Sequence, residues 1–122
     1  MKTRIIASLL VLGAVVAMVG GSAQAAVPTL QAVVGVNEKF TITLKKPNGT
    51  TVRSLRAGTY RIRVRDASKI HDFRLRGPGV TKRTGIGEVV TRTWTVTFKP
   101  GTYTYFCTPH AFSMAGSFKV VA

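Results

Sequence analysis

The chain has 122 residues, room for one domain, and carries 18 lysines and arginines against 4 acidic residues, a formal net charge of +14. Its single cysteine, Cys107, excludes an internal disulfide framework, and its two histidines, His71 and His110, exclude sites that need many imidazoles. The positive surplus keeps the protein soluble and favours acidic partners.

The first segment reads as an export signal. Lys2 and Arg4 form a basic start, Ile5 to Val19 is apolar except at Ser8 and Gly13, and Gly20, Gly21 and Ser22 loosen the chain before Ala23-Gln24-Ala25. That last tripeptide has the small-x-small form of a cleavage site, so residues 1–25 are expected to be a secretory signal peptide. The apolar run is short for a membrane span, which takes about 20 residues, so no stable membrane insertion is expected after cleavage. The mature domain, residues 26–122, would retain 16 basic and 4 acidic residues once Lys2 and Arg4 are removed. It is expected in a periplasm, outside the cell or at its surface. Charge alone admits nucleic acid as a partner, but no nucleic-acid motif is present and an exported domain rarely meets it, so none is expected.

From there the pattern is that of β-strands. Apolar and polar residues alternate in Phe40-Thr41-Ile42-Thr43-Leu44, in Tyr60-Arg61-Ile62-Arg63-Val64-Arg65, and in Thr93-Trp94-Thr95-Val96-Thr97-Phe98, which marks strands with one buried face. Turns are signalled at Pro47-Asn48-Gly49, Ala57-Gly58, Gly77-Pro78-Gly79, Gly85 with Gly87, and Pro100-Gly101. The prediction is an all-β sandwich of seven or eight strands, near 31–36, 39–45, 51–55, 59–66, 70–76, 91–98, 102–107 and 116–121, with 77–90 an irregular crossing. Expected inward residues are Phe40, Ile42, Leu44, Tyr60, Ile62, Val64, Phe73, Trp94, Val96, Phe98, Tyr103, Tyr105, Phe118 and Val120. Arg61, Arg63 and Arg65 share one face, either a solvated sheet surface or a docking patch. No apolar oligomer face stands out, and a monomer is expected.

The chemistry concentrates in Cys107-Thr108-Pro109-His110-Ala111-Phe112-Ser113-Met114. A thiolate at a strand end, an imidazole three residues on and a thioether four beyond that can surround one point. Soft sulfur ligands favour copper(I), and imidazole suits both copper oxidation states; two histidines, one cysteine and a long axial methionine form the blue-copper arrangement. The second histidine can only be His71, 36 residues before Cys107, so the two must meet in space. Zinc shares the cysteine and histidine ligands but gives no role to an axial thioether. An unpaired thiol in an exported chain also fits a ligand better than a free group. A Cys–His nucleophile is conceivable but leaves His71 and Met114 unused, and a catalytic second copper would need further histidines. The chain is therefore not expected to be an enzyme.

Ile70-His71-Asp72-Phe73, the run Pro100 to Cys107, Thr108-Pro109-His110 and Met114-Ala115-Gly116 together resemble the cupredoxin family, in its plastocyanin, amicyanin and pseudoazurin branch. The likeness covers most of residues 30–121. It implies a Greek-key β-sandwich with one type 1 copper ion held by His71, Cys107 and His110 in a plane and by Met114 on the axis. It also implies one-electron transfer between redox partner proteins, here with acidic docking surfaces. His110 would be the electron port, rimmed by Pro109, Ala111 and Phe112, though Phe112 could equally be core packing. A copper carrier or scavenger of the cell envelope, using the same ligands, is the alternative. Two features depart from the family pattern. Asp72 replaces the asparagine that usually follows the first histidine and helps tie it to the cysteine loop, and three residues separate His110 from Met114, an intermediate loop length that leaves Met114 the least determined ligand.

Overall fold

A computed structural model describes residues 13–17, 20 and 26–122. The expected signal peptide over 1–25 lies outside the described residues except for 13–17 and 20, which form no regular element. Among the described residues, no helix is long and apolar enough to cross a membrane.

Among the described residues, nine strands follow in order: β1 Thr29–Val34, β2 Ile42–Lys45, β3 Ser54–Arg56, β4 Gly58–Asp66, β5 Arg74–Gly77, β6 Val80–Arg83, β7 Val90–Phe98, β8 Gly101–Phe106 and β9 Ala115–Val121. They form a four-stranded sheet of order β2-β1-β4-β7 and a five-stranded sheet of order β3-β9-β8-β5-β6. β1 runs parallel to β4 and β3 parallel to β9, while the other pairs are antiparallel. This is the expected all-β sandwich, and its core lies between the two sheets. Alternation places the core as predicted along β4, where Ile62 and Val64 are buried while Arg61, Arg63 and Arg65 face solvent. Across the sandwich, Tyr103 stacks on Phe118 at 5.4 Å and Phe98 meets both rings near-perpendicularly, giving the thin core a rigid aromatic centre.

Three expectations are corrected. Residues 77–90 are not wholly irregular, because β6 pairs with β5 through a tight reversal at Pro78-Gly79. β6 is an edge strand that buries only Val80 and leaves Thr81, Lys82 and Arg83 exposed, so it carries no alternation to read. His71 does not begin a strand: it lies in the 67–73 connection, and β5 starts at Arg74. Phe40, expected inside, is 55% exposed. The chain makes a short 3-10 turn over Val36–Glu38 and enters β2 only at Ile42, so Phe40 precedes the strand whose alternation seemed to include it. Tyr60 and Trp94 are partly buried and pack against the core edge.

The end of the sandwich that matters collects the C-terminal ends of β1, β4 and β8 and the N-terminal ends of β7 and β9. Three irregular segments cover it: 35–41, 67–73 and 107–114.

Candidate metal centre

Cys107 directly follows β8 and continues its inward alternation after Tyr103 and Tyr105; all three are buried. The next residues form one 3-10 turn, Thr108–His110, with Pro109 fixing the backbone near its start. The loop closes on itself. The Cys107 N–H donates to the Met114 carbonyl at 3.0 Å, and the N–H groups of His110 and Met114 donate to the Cys107 and His110 carbonyls at 3.1 and 2.9 Å. These bonds hold His110 close to the sulfur.

His71 reaches the same point from the other sheet connection. Phe73, two residues after His71, stacks on Tyr105, two residues before Cys107, at 5.7 Å and 7°. That stack sets the spacing of two segments distant in sequence. Asp72 adds a polar tie. Thr108 donates its backbone N–H to one carboxylate oxygen at 2.5 Å and its hydroxyl to the other at 2.6 Å. The aspartate at this position thus performs the loop-tying role as an acceptor of two hydrogen bonds, with no need of the amide N–H it lacks.

Three donor atoms converge. Nδ1 of His71 and Nδ1 of His110 are 3.0 Å apart, and the Cys107 Sγ is 3.5 Å from the first and 3.6 Å from the second. The point equidistant from all three lies about 2.0 Å from each, close to the lengths of metal–imidazole (about 2.0 Å) and metal–thiolate (about 2.3 Å) bonds. Two imidazole nitrogens and a sulfur this close together form a donor set that a cation at their common centre would satisfy. Burial pushes the Cys107 thiol above its ordinary value; the backbone of Asp72 opposes this, the Asp72 charge adds to it, and the backbone of His110 opposes it. A thiolate at this position therefore needs a positive ion beside it, and metal binding would release a proton. The residues present fit a copper ion.

Met114 is fully buried at the foot of the same loop. The structure thus brings together His71, Cys107 and His110 by their donor atoms and holds Met114 beside them through the backbone. Around them, Pro109, Ala111 and Phe112 are exposed and His110 is half-buried. Phe112 stands entirely clear of the protein at 109% relative exposure, which removes it from the core and leaves it to the rim. Sequence reasoning missed Gly35, Glu38 and Ser68, which shape the wall behind His71. The Ser68 hydroxyl donates to Glu38 at 2.7 Å, and at Gly35 an added Cβ would overlap the Ser68 side chain and lie 2.9 Å from His71 Cδ2. The only legible hint was the turn-forming pair Gly35 and Asn37 ahead of Phe40.

The family profile described as copper binding proteins, plastocyanin/azurin family, matches residues 63–121. Among solved structures, the chain is similar to reduced rusticyanin, with 21% identity and a TM-score of 0.58 over 76% of this chain and 78% of that one. It is also similar to a rusticyanin structure whose description calls it a copper protein, at 18% identity and a TM-score of 0.56 over 76% of each chain. Rusticyanin from Thiobacillus ferrooxidans aligns at 20% identity and a TM-score of 0.53, again over 76% of each. At these identities the likeness to rusticyanin is one of fold. No curated protein matches the chain. The profile match and the fold agree: residues 63–121 are similar to the plastocyanin/azurin copper-binding family, and the sandwich has a cupredoxin-like fold. The His71, Cys107 and His110 arrangement is consistent with a single type 1 copper site.

Proposed function

We propose that this protein is an exported carrier of single electrons and not an enzyme, with His71, Cys107 and His110 as the equatorial ligands of its copper and Met114 as the axial one. The observation that carries the reading is the convergence of two Nδ1 atoms and one Sγ on a point at bonding distance from each. Copper supplies the one-electron change between its two oxidation states. The chain's own part is to hold the donors still. The closed 107–114 loop, the Phe73–Tyr105 stack and the Asp72–Thr108 tie fix them before any metal arrives, so little rearrangement accompanies redox change.

The charge distribution supports acidic redox partners. All four acidic residues are engaged within the fold: Asp66 and Asp72 are buried, Glu38 accepts from Ser68, and Glu88 pairs with Arg92. Nearly all of the basic surface, including the exposed Arg61, Arg63 and Arg65, is left to an oppositely charged protein. Such association weakens as salt rises.

Adding Cu(II) to the purified protein should produce an intense visible thiolate-to-copper band. Cys107→Ser should abolish it, and Met114→Ala should retain copper with an altered colour. A colourless stoichiometric copper complex of the unmodified protein would refute the assignment. Fast electron self-exchange separates a carrier of electrons from a carrier of copper, which would instead release its metal readily to an acceptor.

A further inference from the structure

Phe40 sits at the mouth of the metal centre. Its ring lies 4.9 Å from the His71 ring at 79° and 4.6 Å from the His110 ring at 72°, while the two imidazoles are 4.8 Å apart at 67°. Three rings thus meet edge to face in one cluster, each pair within the range of favourable aromatic contact.

The need for such a contact shows at His71. Metal-bound histidines commonly donate their second ring N–H to a carboxylate, carbonyl or water, which fixes the ring's orientation. The His71 Nε2 is buried and has no hydrogen-bond partner among the described residues. Its ring is therefore aligned by packing: the Gly35 turn and Ser68 lie on one side, and Phe40 lies across its near-perpendicular face.

The backbone that delivers Phe40 is unusual too. Asn37 and Glu38 both have positive φ, 54° and 59°, next to Gly35 at 71°. Left-handed conformations at non-glycine residues cost about 1–3 kcal/mol each and persist only where the surroundings hold them. Here the Glu38 carboxylate accepts from the Ser68 hydroxyl at 2.7 Å. The Ser68 hydroxyl in turn accepts from the Ile70 N–H at 3.1 Å, one residue before His71. The Gly35 N–H closes the turn onto the Thr41 carbonyl at 3.0 Å. A strained turn is thereby bonded to the His71 connection, and the side chain it presents is Phe40.

We propose that Phe40 is a positioning residue of the copper centre: its ring holds the imidazoles of His71 and His110 in their paired orientation and keeps water from the metal between them. The proposal rests on the copper reading above. Copper(II) with one thiolate carries a net positive charge and copper(I) with the same thiolate carries none, so an apolar cover favours the reduced form. Phe40 thus raises the reduction potential and narrows the spread of ligand orientations.

The test compares the unmodified protein, Phe40→Ala and Phe40→Tyr. Copper-loaded samples are followed by redox titration and electron paramagnetic resonance, and metal-free samples by proton NMR of the imidazole protons. In Phe40→Ala, the oxidised-to-reduced ratio at a fixed electrode potential should rise several-fold and the copper hyperfine lines should broaden. The ring-current shifts of the His71 and His110 protons should be lost, and Phe40→Tyr should restore all three readouts. Since Phe40 is more than half exposed, the fold does not depend on it, and Phe40→Leu, which deletes the ring but keeps an apolar cover, should lose the ring-current shifts while holding most of the parent's potential. Phe40→Ala with the parent's potential, line widths and chemical shifts overturns the proposal, as does Phe40→Tyr losing as much as Phe40→Ala. Failure of the unmodified protein to turn blue with Cu(II) defeats the copper reading instead, while the metal-free NMR still reports on Phe40.

Discussion

Replacing Asp72 by alanine should loosen the copper end of the sandwich even in metal-free protein. The carboxylate accepts the Thr108 N–H at 2.5 Å and the Thr108 hydroxyl at 2.6 Å, and among the described residues these are the side-chain hydrogen bonds that join the His71 connection to the 107–114 loop away from the ligand atoms. Hydrogen bonds to a charged group are worth about 1.5–3 kcal/mol each. Thr108 is exposed, so water recovers part of that loss, and removing a buried carboxylate relieves some desolvation. The net cost should be about 2 kcal/mol, which for a domain of this size lowers Tm by about 8–16 °C. Thr108→Val keeps the N–H bond and should cost about half as much. The assay is thermal unfolding of the metal-free proteins followed by circular dichroism. The two single variants and the double variant form a cycle whose coupling should be about 1 kcal/mol. An Asp72→Ala protein melting within about 2 °C of the parent, or a cycle without coupling, would show that the tie carries no energy.

Two further outcomes test the frame around the site. Gly35→Ala should destabilise the fold by about 1–3 kcal/mol, because the position has φ +71° and the new methyl would press on Ser68 and on His71 Cδ2; urea unfolding measures it, and copper affinity should fall in parallel. The buried Asp66 should give a pH signature. Burial raises its pKa above the usual carboxylate value, against the Thr84 hydroxyl and Ser68 N–H that lower it, and the charges of Asp72 and Glu88 add to the rise. The folded state therefore favours the protonated form, so the group's contribution is fully present below about pH 4 and is lost as pH rises through the folded pKa. The urea midpoint of Asp66→Asn relative to the parent should move in the variant's favour between pH 3 and 7 (roughly the span across that titration); a difference that is constant or moves the opposite way contradicts it.

Much of this protein could be read from its residues in order. Period-two alternation in 60–65 and 93–98 places Ile62, Val64, Val96 and Phe98 in the core, because a strand with one wet face sorts its side chains by local geometry alone. Cys107, His110 and Met114 could be grouped for a similar reason: they lie in one short loop between two strands, and their chemical types allow few other joint uses. His71 joined them by elimination, as the one remaining imidazole.

What the sequence could not supply depends on residues that meet only after the sheets pack. Nothing local sets His71 beside Cys107; the Phe73–Tyr105 stack and the Asp72–Thr108 tie do, across 36 residues of chain. Phe40 shows the same limit most clearly. Its place in an alternating run argued for the core, yet a turn with two left-handed non-glycine residues, held by a glutamate bonding to a serine 30 positions away, turns it outward over the histidines. Alternation reports the preference of a strand once formed, and only long-range contacts decide where the strand begins.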